Sequence, residues 1–145
     1  LRSGADIITD TNMALSGINK KSLHALGGEA HCFMSDPDVA AEAKRRGITR
    51  AMVSMEKAAR LSSDNLIFAI GNAPTALIQL EQLIREHQLA PKLIIGVPVG
   101  FVNVVEAKEL ILQSGVPCIV ARGNKGGSNI AAAICNALLY QLYRA

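Results

Sequence analysis

The sequence predicts an α/β fold: a three-layer, Rossmann-like arrangement in which a mostly parallel sheet is flanked by helices. Three observations carry this expectation. Apolar strands alternate with amphipathic helices almost throughout, the order that builds a parallel sheet through crossover connections. The strands are continuously apolar, as in Leu66-Ile67-Phe68-Ala69-Ile70, so burial on both faces is expected. Half of the 145 residues are hydrophobic, yet aromatics make up only 3% and Trp is absent. The core must then be built from Ala, Ile, Leu and Val, which suits layered packing.

Taken in order, Ala5 to Asp10 reads as a short strand ending in polar residues, and His31 to Ser35 as a second. Ser35-Asp36-Pro37 predicts a helix start, with a capping side chain and Pro in the first turn. That helix runs to about Arg46 and stops at Gly47. Thr49 is placed to cap another, reaching Arg60. Asn65 to Ile70 is a buried strand, followed by a long helix to about His87. Lys92 to Val97 is the next strand, with a helix from Val104 to Gln113. Pro117 to Ala121 is the last strand, and a helix ending near Tyr143 closes the chain. No repeat or linker interrupts the pattern, so residues 1–145 are expected to form one domain.

Charge and cysteine usage exclude several classes. The net charge is +3, spread along the chain. Its densest cluster, Lys44-Arg45-Arg46, is short and has no interleaved aromatics, so a solvated helix end is expected and no nucleic-acid partner. Cys32, Cys118 and Cys135 are odd in number and far apart in apolar stretches, which predicts buried thiols in a reducing compartment rather than disulfides or a metal knuckle. No apolar run is long enough to span a bilayer, so no membrane partner is expected. The chain begins at Leu1 rather than Met; an upstream segment is expected.

The unusual residues follow the strands. Asp10-Thr11-Asn12-Met13, Gly71-Asn72-Ala73-Pro74-Thr75, Pro98-Val99-Gly100-Phe101 and Gly123-Asn124-Lys125-Gly126-Gly127-Ser128 all lie after strand ends. In an open α/β sheet the ligand crevice lies at that edge, so these loops are expected to line one site. Loop glycines permit close backbone approach to a ligand, and helix N–H groups there would face anions. Neither Gly-x-Gly-x-x-Gly nor a Gly-Lys-Ser/Thr loop is present, so a nucleotide site has little support. Nor is there a Gly-x-Ser-x-Gly elbow or metal-ligand spacing. The histidines, His24, His31 and His87, fall outside the four loops. The visible residues look built to bind and orient, with no proton-transfer group among them.

Five motifs resemble those of precorrin-8X methylmutases, most closely the cobalt-precorrin-8 branch. They are Thr9-Asp10-Thr11-Asn12-Met13 through Asn19, Gly47-Ile48-Thr49-Arg50-Ala51-Met52, Ile70-Gly71-Asn72-Ala73-Pro74-Thr75, Gly96-Val97-Pro98-Val99-Gly100-Phe101-Val102, and Gly126-Gly127-Ser128-Asn129 with Asn136-Ala137-Leu138. They occur in order and span essentially the whole chain. Asn103-Val104-Val105 and Asn124 depart from the usual pattern, whereas Glu106 and Lys108 keep it.

The resemblance implies a homodimeric, cytoplasmic isomerase without metal or organic cofactor. Its reaction would move a methyl group from ring carbon 11 to ring carbon 12 of (cobalt-)precorrin-8, giving cobyrinate or hydrogenobyrinate in cobalamin biosynthesis. Substrate contacts would fall to Thr11, Met13, Gly17, Thr49, Arg50, Asn72, Pro74, Thr75, Pro98, Val99, Gly100, Phe101, Lys125, Gly126, Gly127 and Ser128. The acid catalyst of the family is a His in a segment upstream of the Thr-Asp-Thr strand, and none of the three histidines here corresponds to it. A dimer face is expected on the stripe Ile130, Ala131, Ile134, Leu138 and Leu142. Two other readings fit the residues: a non-catalytic corrinoid-binding relative, and an unrelated nucleotide-binding enzyme.

Overall fold

A computed structural model describes residues 1–61 and 64–143. Its strands are β1 (Asp6–Thr9), β2 (Ala30–Cys32), β3 (Leu66–Ile70), β4 (Leu93–Gly96) and β5 (Cys118–Val120). Its helices are α1 (Asn12–Gly17), α2 (Lys20–Ala25), α3 (Pro37–Arg46), α4 (Arg50–Leu61), α5 (Pro74–Arg85), α6 (Val104–Leu112) and α7 (Ser128–Leu142). The strands form one sheet in the order β2-β1-β3-β4-β5. Every pairing is parallel. This is one of the two common doubly wound orders, and the direction of winding reverses between β1 and β3. The reversal falls at Asp10 and Gly71, where those two strands end.

Side chains alternate across each strand, so one apolar run feeds two cores. Ile8, Leu66, Phe68, Ile70 and Ile94 pack against α3, α4, α5 and α6. Ile7, Ile67, Ala69 and Ile95 pack on the other face with Ala14, Leu23 and the α7 residues Ala131, Cys135 and Leu139. Phe68, Ile70, Leu80 and Ile94 are fully buried. Full burial of such a side chain stabilises by about 1.5–3 kcal/mol.

Several local expectations are corrected. A short helix, α1, stands where no regular element was expected, and the helix-like segment around His24 forms a second, α2; Thr11 Oγ1 caps the first by accepting from Ala14 N at 3.1 Å, and Asn19 Oδ1 caps the second. Strand β2 ends at Cys32 and does not reach Ser35. Pro37 opens α3, but Asp36 makes no side-chain cap. Its carboxylate instead accepts from Lys57 Nζ at 2.7 Å, a charged partner stronger than a backbone N–H. Gly47 ends α3 in the left-handed conformation, φ 66°, and Thr49 Oγ1 accepts from Met52 N to start α4. Of the cysteines only Cys135 is buried, while Cys32 and Cys118 are half-buried. The buried face of α7 is Ala131, Ala132, Cys135 and Leu139; in the expected stripe Ile130 is exposed and Ile134, Leu138 and Leu142 are half-buried. The Lys44-Arg45-Arg46 helix end is solvated, with Arg45 and Arg46 paired to Glu42 and Arg46 also to Glu56.

Candidate functional site

All four loops expected to share a site lie at the carboxyl edge of the sheet and are tied to one another. Asp10 follows β1 and points into the reversal between β1 and β3. Its carboxylate accepts from Gly71 N at 2.8 Å, Asn72 N at 2.9 Å and Ala73 N at 2.7 Å. Burial pushes this carboxyl above its ordinary range, and the three N–H donors act in the opposite direction. Those donors are therefore already satisfied by the protein. The N-terminus of α5 does not offer them to a ligand, contrary to the general expectation for helix starts at this edge.

The first loop also meets the last. Thr11 Oγ1 lies 2.8 Å from Ser128 Oγ. A Cβ on Gly71 would stand 2.6 Å from Ser128 Cα, so glycine is required for that approach. The third and fourth loops interlock through Gly127 N donating to Val97 O at 2.8 Å and Gly100 N to Asn124 O at 3.0 Å. A Cβ on Gly126 would lie 2.0 Å from Val97 O. The close approach made by Gly126 is thus to neighbouring backbone, not to open space. Gly127 adopts φ 135°, which an L side chain rarely tolerates.

Behind the fourth loop is a charge that the sequence reading did not place at the site. Lys108, on α6, is fully buried. Its Nζ donates to Gly123 O at 2.7 Å and Lys125 O at 3.0 Å, and burial lowers its pKa. The sequence carried a partial signal: Lys108 follows Val104 by four residues and precedes Ile111 by three, on the apolar face of the helix. Asp10 offered less, because its partners become neighbours only through the strand order.

The remaining positions divide by exposure. Thr49 and Thr75, at the starts of α4 and α5, approach within 3.1 Å through their hydroxyls. Arg50 is exposed beside them. It lines a cavity of ≈ 620 Å³ with Lys44 and Ile48. Val99, Gly100, Phe101, Arg122, Gly123, Asn124 and Lys125 line a second, ≈ 500 Å³ cleft. Met13, Val99, Phe101 and Val102 are exposed at 69, 48, 85 and 78%. Asn72 and Lys125 are exposed, Thr11, Pro74 and Ser128 half-buried, and Pro98 buried. Gly17 lies at the far end of α1, where its Cα faces Ala132 of α7. His24 lies on α2 and His87 just beyond α5. His31 Nε2 lies 3.5 Å from Asp6 Oδ2, and its ring stacks on Phe33. No group of three or more His, Cys, Asp or Glu among the described residues could hold a metal ion. No helix among them is long and apolar enough to cross a membrane.

Fold and site together define a doubly wound α/β protein with a wide, apolar-rimmed and cation-bearing surface at the carboxyl edge of its sheet. Residues 1–141 match the family described as CbiC, precorrin-8X methylmutase, and the chain belongs to that family. A cobalt-precorrin-8 methylmutase of Salmonella typhimurium is 50% identical over 145 residues, covering 100% of this chain and 67% of the relative. A precorrin-8X methylmutase of Pseudomonas aeruginosa is 39% identical over 140 residues, covering 95% and 66%. A solved precorrin-8x methyl mutase of Thermus thermophilus superposes with TM-score 0.85 at 37% identity, covering 96% of this chain and 67% of its own. The first curated relatives are spanned over 67, 66 and 61% of their length, so the chain corresponds to about two thirds of them.

Proposed function

We propose that this chain forms the substrate-binding core of a corrinoid isomerase, which moves a methyl group from ring carbon 11 to ring carbon 12 of (cobalt-)precorrin-8 to give cobyrinate or hydrogenobyrinate. The observation that supports this function best is the exposure of apolar side chains together with cations that have no ion-pair partner among the described residues. Met13, Val99, Phe101 and Val102 stand exposed after strand ends; Lys125 lines one cleft with Val99 and Phe101, and Arg50 lines a separate cavity with Lys44 and Ile48 where α3 meets α4. A corrinoid is broad, flat and fringed with carboxylates. Its ring face suits the apolar rim, and its acid arms suit guanidinium and ammonium groups.

The migration is intramolecular and needs no second substrate. Holding the ring in one orientation and supplying one proton accounts for the chemistry expected of the site. The chain's own part is orientation. The proton donor is assigned, by family resemblance, to a histidine upstream of β1, since His24, His31 and His87 belong to elements outside the four loops. The protein is proposed to work as a cytoplasmic homodimer without cofactor, and the exposed Ile130 and half-buried Ile134, Leu138 and Leu142 on α7 support a self-association face there.

An absorbance titration of the complete natural protein with hydrogenobyrinate tests the reading. Saturable binding is expected, weakened in Arg50→Ala by more than ~1 kcal/mol, the scale of a charge-assisted hydrogen bond. A folded protein that binds no tetrapyrrole would overturn it.

A further inference from the structure

We infer that Lys108 is a positioning residue: from behind the site it fixes the Gly123–Lys125 segment and thereby places the Lys125 cation at the rim. The inference rests on the corrinoid reading above. Lys108 is fully buried, and no carboxylate pairs with it among the described residues. Among the described residues its hydrogen-bond partners are two carbonyls of one loop, Gly123 O and Lys125 O. Burying an ammonium without a counter-ion is costly, and an apolar side chain of equal length would fill the same space at lower cost. The cation is thus explained by what it holds rather than by packing.

What it holds is one wall of the cleft. Gly123, Asn124 and Lys125 line that cleft together with Val99, Gly100 and Phe101. With both flanking carbonyls drawn inward to Nζ, the segment is bent so that the Lys125 side chain is left exposed and Asn124 O is free to accept from Gly100 N. Gly123 has φ 90° and no Cβ to restrain it, so without the clamp its peptide planes have little to stop them turning. A second tie between α6 and this loop, Arg122 Nε to Glu109 Oε1 at 3.6 Å, is solvent-exposed and weak by comparison.

The test is a double-mutant cycle in the complete natural protein, using Lys108→Met, Lys125→Met and the pair, with hydrogenobyrinate as probe. Each single change is expected to weaken binding about tenfold or more, as for loss of a charged contact. The double variant should bind about as poorly as Lys108→Met alone, because the two residues act through one contact. Amide exchange without ligand should rise at residues 123–127 in Lys108→Met and stay unchanged in the sheet. If Lys108→Met does not fold, Lys108→Gln, whose shorter neutral side chain withdraws the donor from both carbonyls, is read in the same way. Fully multiplicative losses, unchanged affinity in Lys108→Met, or unchanged exchange at 123–127 would each overturn the inference. A wild-type protein that binds no hydrogenobyrinate would instead remove the corrinoid reading and this inference with it.

Discussion

The hydroxyl oxygens of Thr11 and Ser128 lie 2.8 Å apart, although 117 residues separate them in the chain. Thr11 also caps α1 by accepting from Ala14 N, so one side chain both starts a helix and fastens the first loop to the last. Thr11→Val keeps the shape and removes both bonds. Loss of the cap alone should cost ~1 kcal/mol, read as a lower urea midpoint with an unchanged slope. Product affinity should fall as well, because the two loops are then free to part. Unaltered stability would show that the Ser128 contact and the cap contribute nothing net.

Asp10 makes a sharper case. Both of its oxygens accept backbone N–H groups from the β3–α5 turn. Asp10→Asn retains the shape but turns an NH₂ group toward donors on one side. At least one buried N–H is left unpaired, at a cost of ~1–3 kcal/mol. Thermal melting should show that loss at neutral pH. A variant as stable as wild type would mean that the clasp is dispensable.

Lys108 gives a pH signature. Burial lowers its folded pKa below the ordinary 10.5, so between those two values the unfolded chain binds more protons than the folded one. Stability contributed by this group therefore rises with pH across that window, and the burial penalty is fully present below it. Denaturation midpoints of wild type minus those of Lys108→Met should climb as pH is raised toward 10.5. A difference that is flat or falls with pH would contradict the assignment.

Phe101 is 85% exposed at the mouth of the cleft. Phe101→Ser should leave stability within ~0.5 kcal/mol, as surface changes do, while weakening corrinoid binding measurably by absorbance. If affinity is unchanged, the ring face rests elsewhere.

Much of the fold was legible because it is written locally. The apolar runs ending at Ile70 and Val97 marked buried strands, and Gly47 marked the end of α3, where it adopts a left-handed backbone. What was missed depends on distant partners or short elements. Helix α1 has six residues, too few to show a periodic apolar face, and α2, equally short, was legible only as a helix-like segment around His24. Asp36 looked like a cap, but Lys57, 21 residues away, takes its carboxylate. The four loops were legible as a set because strand ends carry the ligand edge of such sheets. Their joints were not, since Asp10 meets Gly71 only when β1 lies beside β3. Gly126 was legible as a close-approach residue, yet its partner, Val97 O, is visible only in three dimensions.

The proposed division of labour between orientation and proton donation is tested by turnover of cobalt-precorrin-8, followed by absorbance and product mass, in two forms of the chain. One form is the 145 residues as they stand; the other is preceded by the histidine-bearing upstream segment that the family resemblance implies. Methyl migration is predicted in the extended form, with loss of ~100-fold or more in the 145-residue form, the scale of removing a general acid. Equal turnover in both forms would contradict the assignment of the proton donor, and a folded extended form that neither binds nor converts the corrinoid would contradict the function itself.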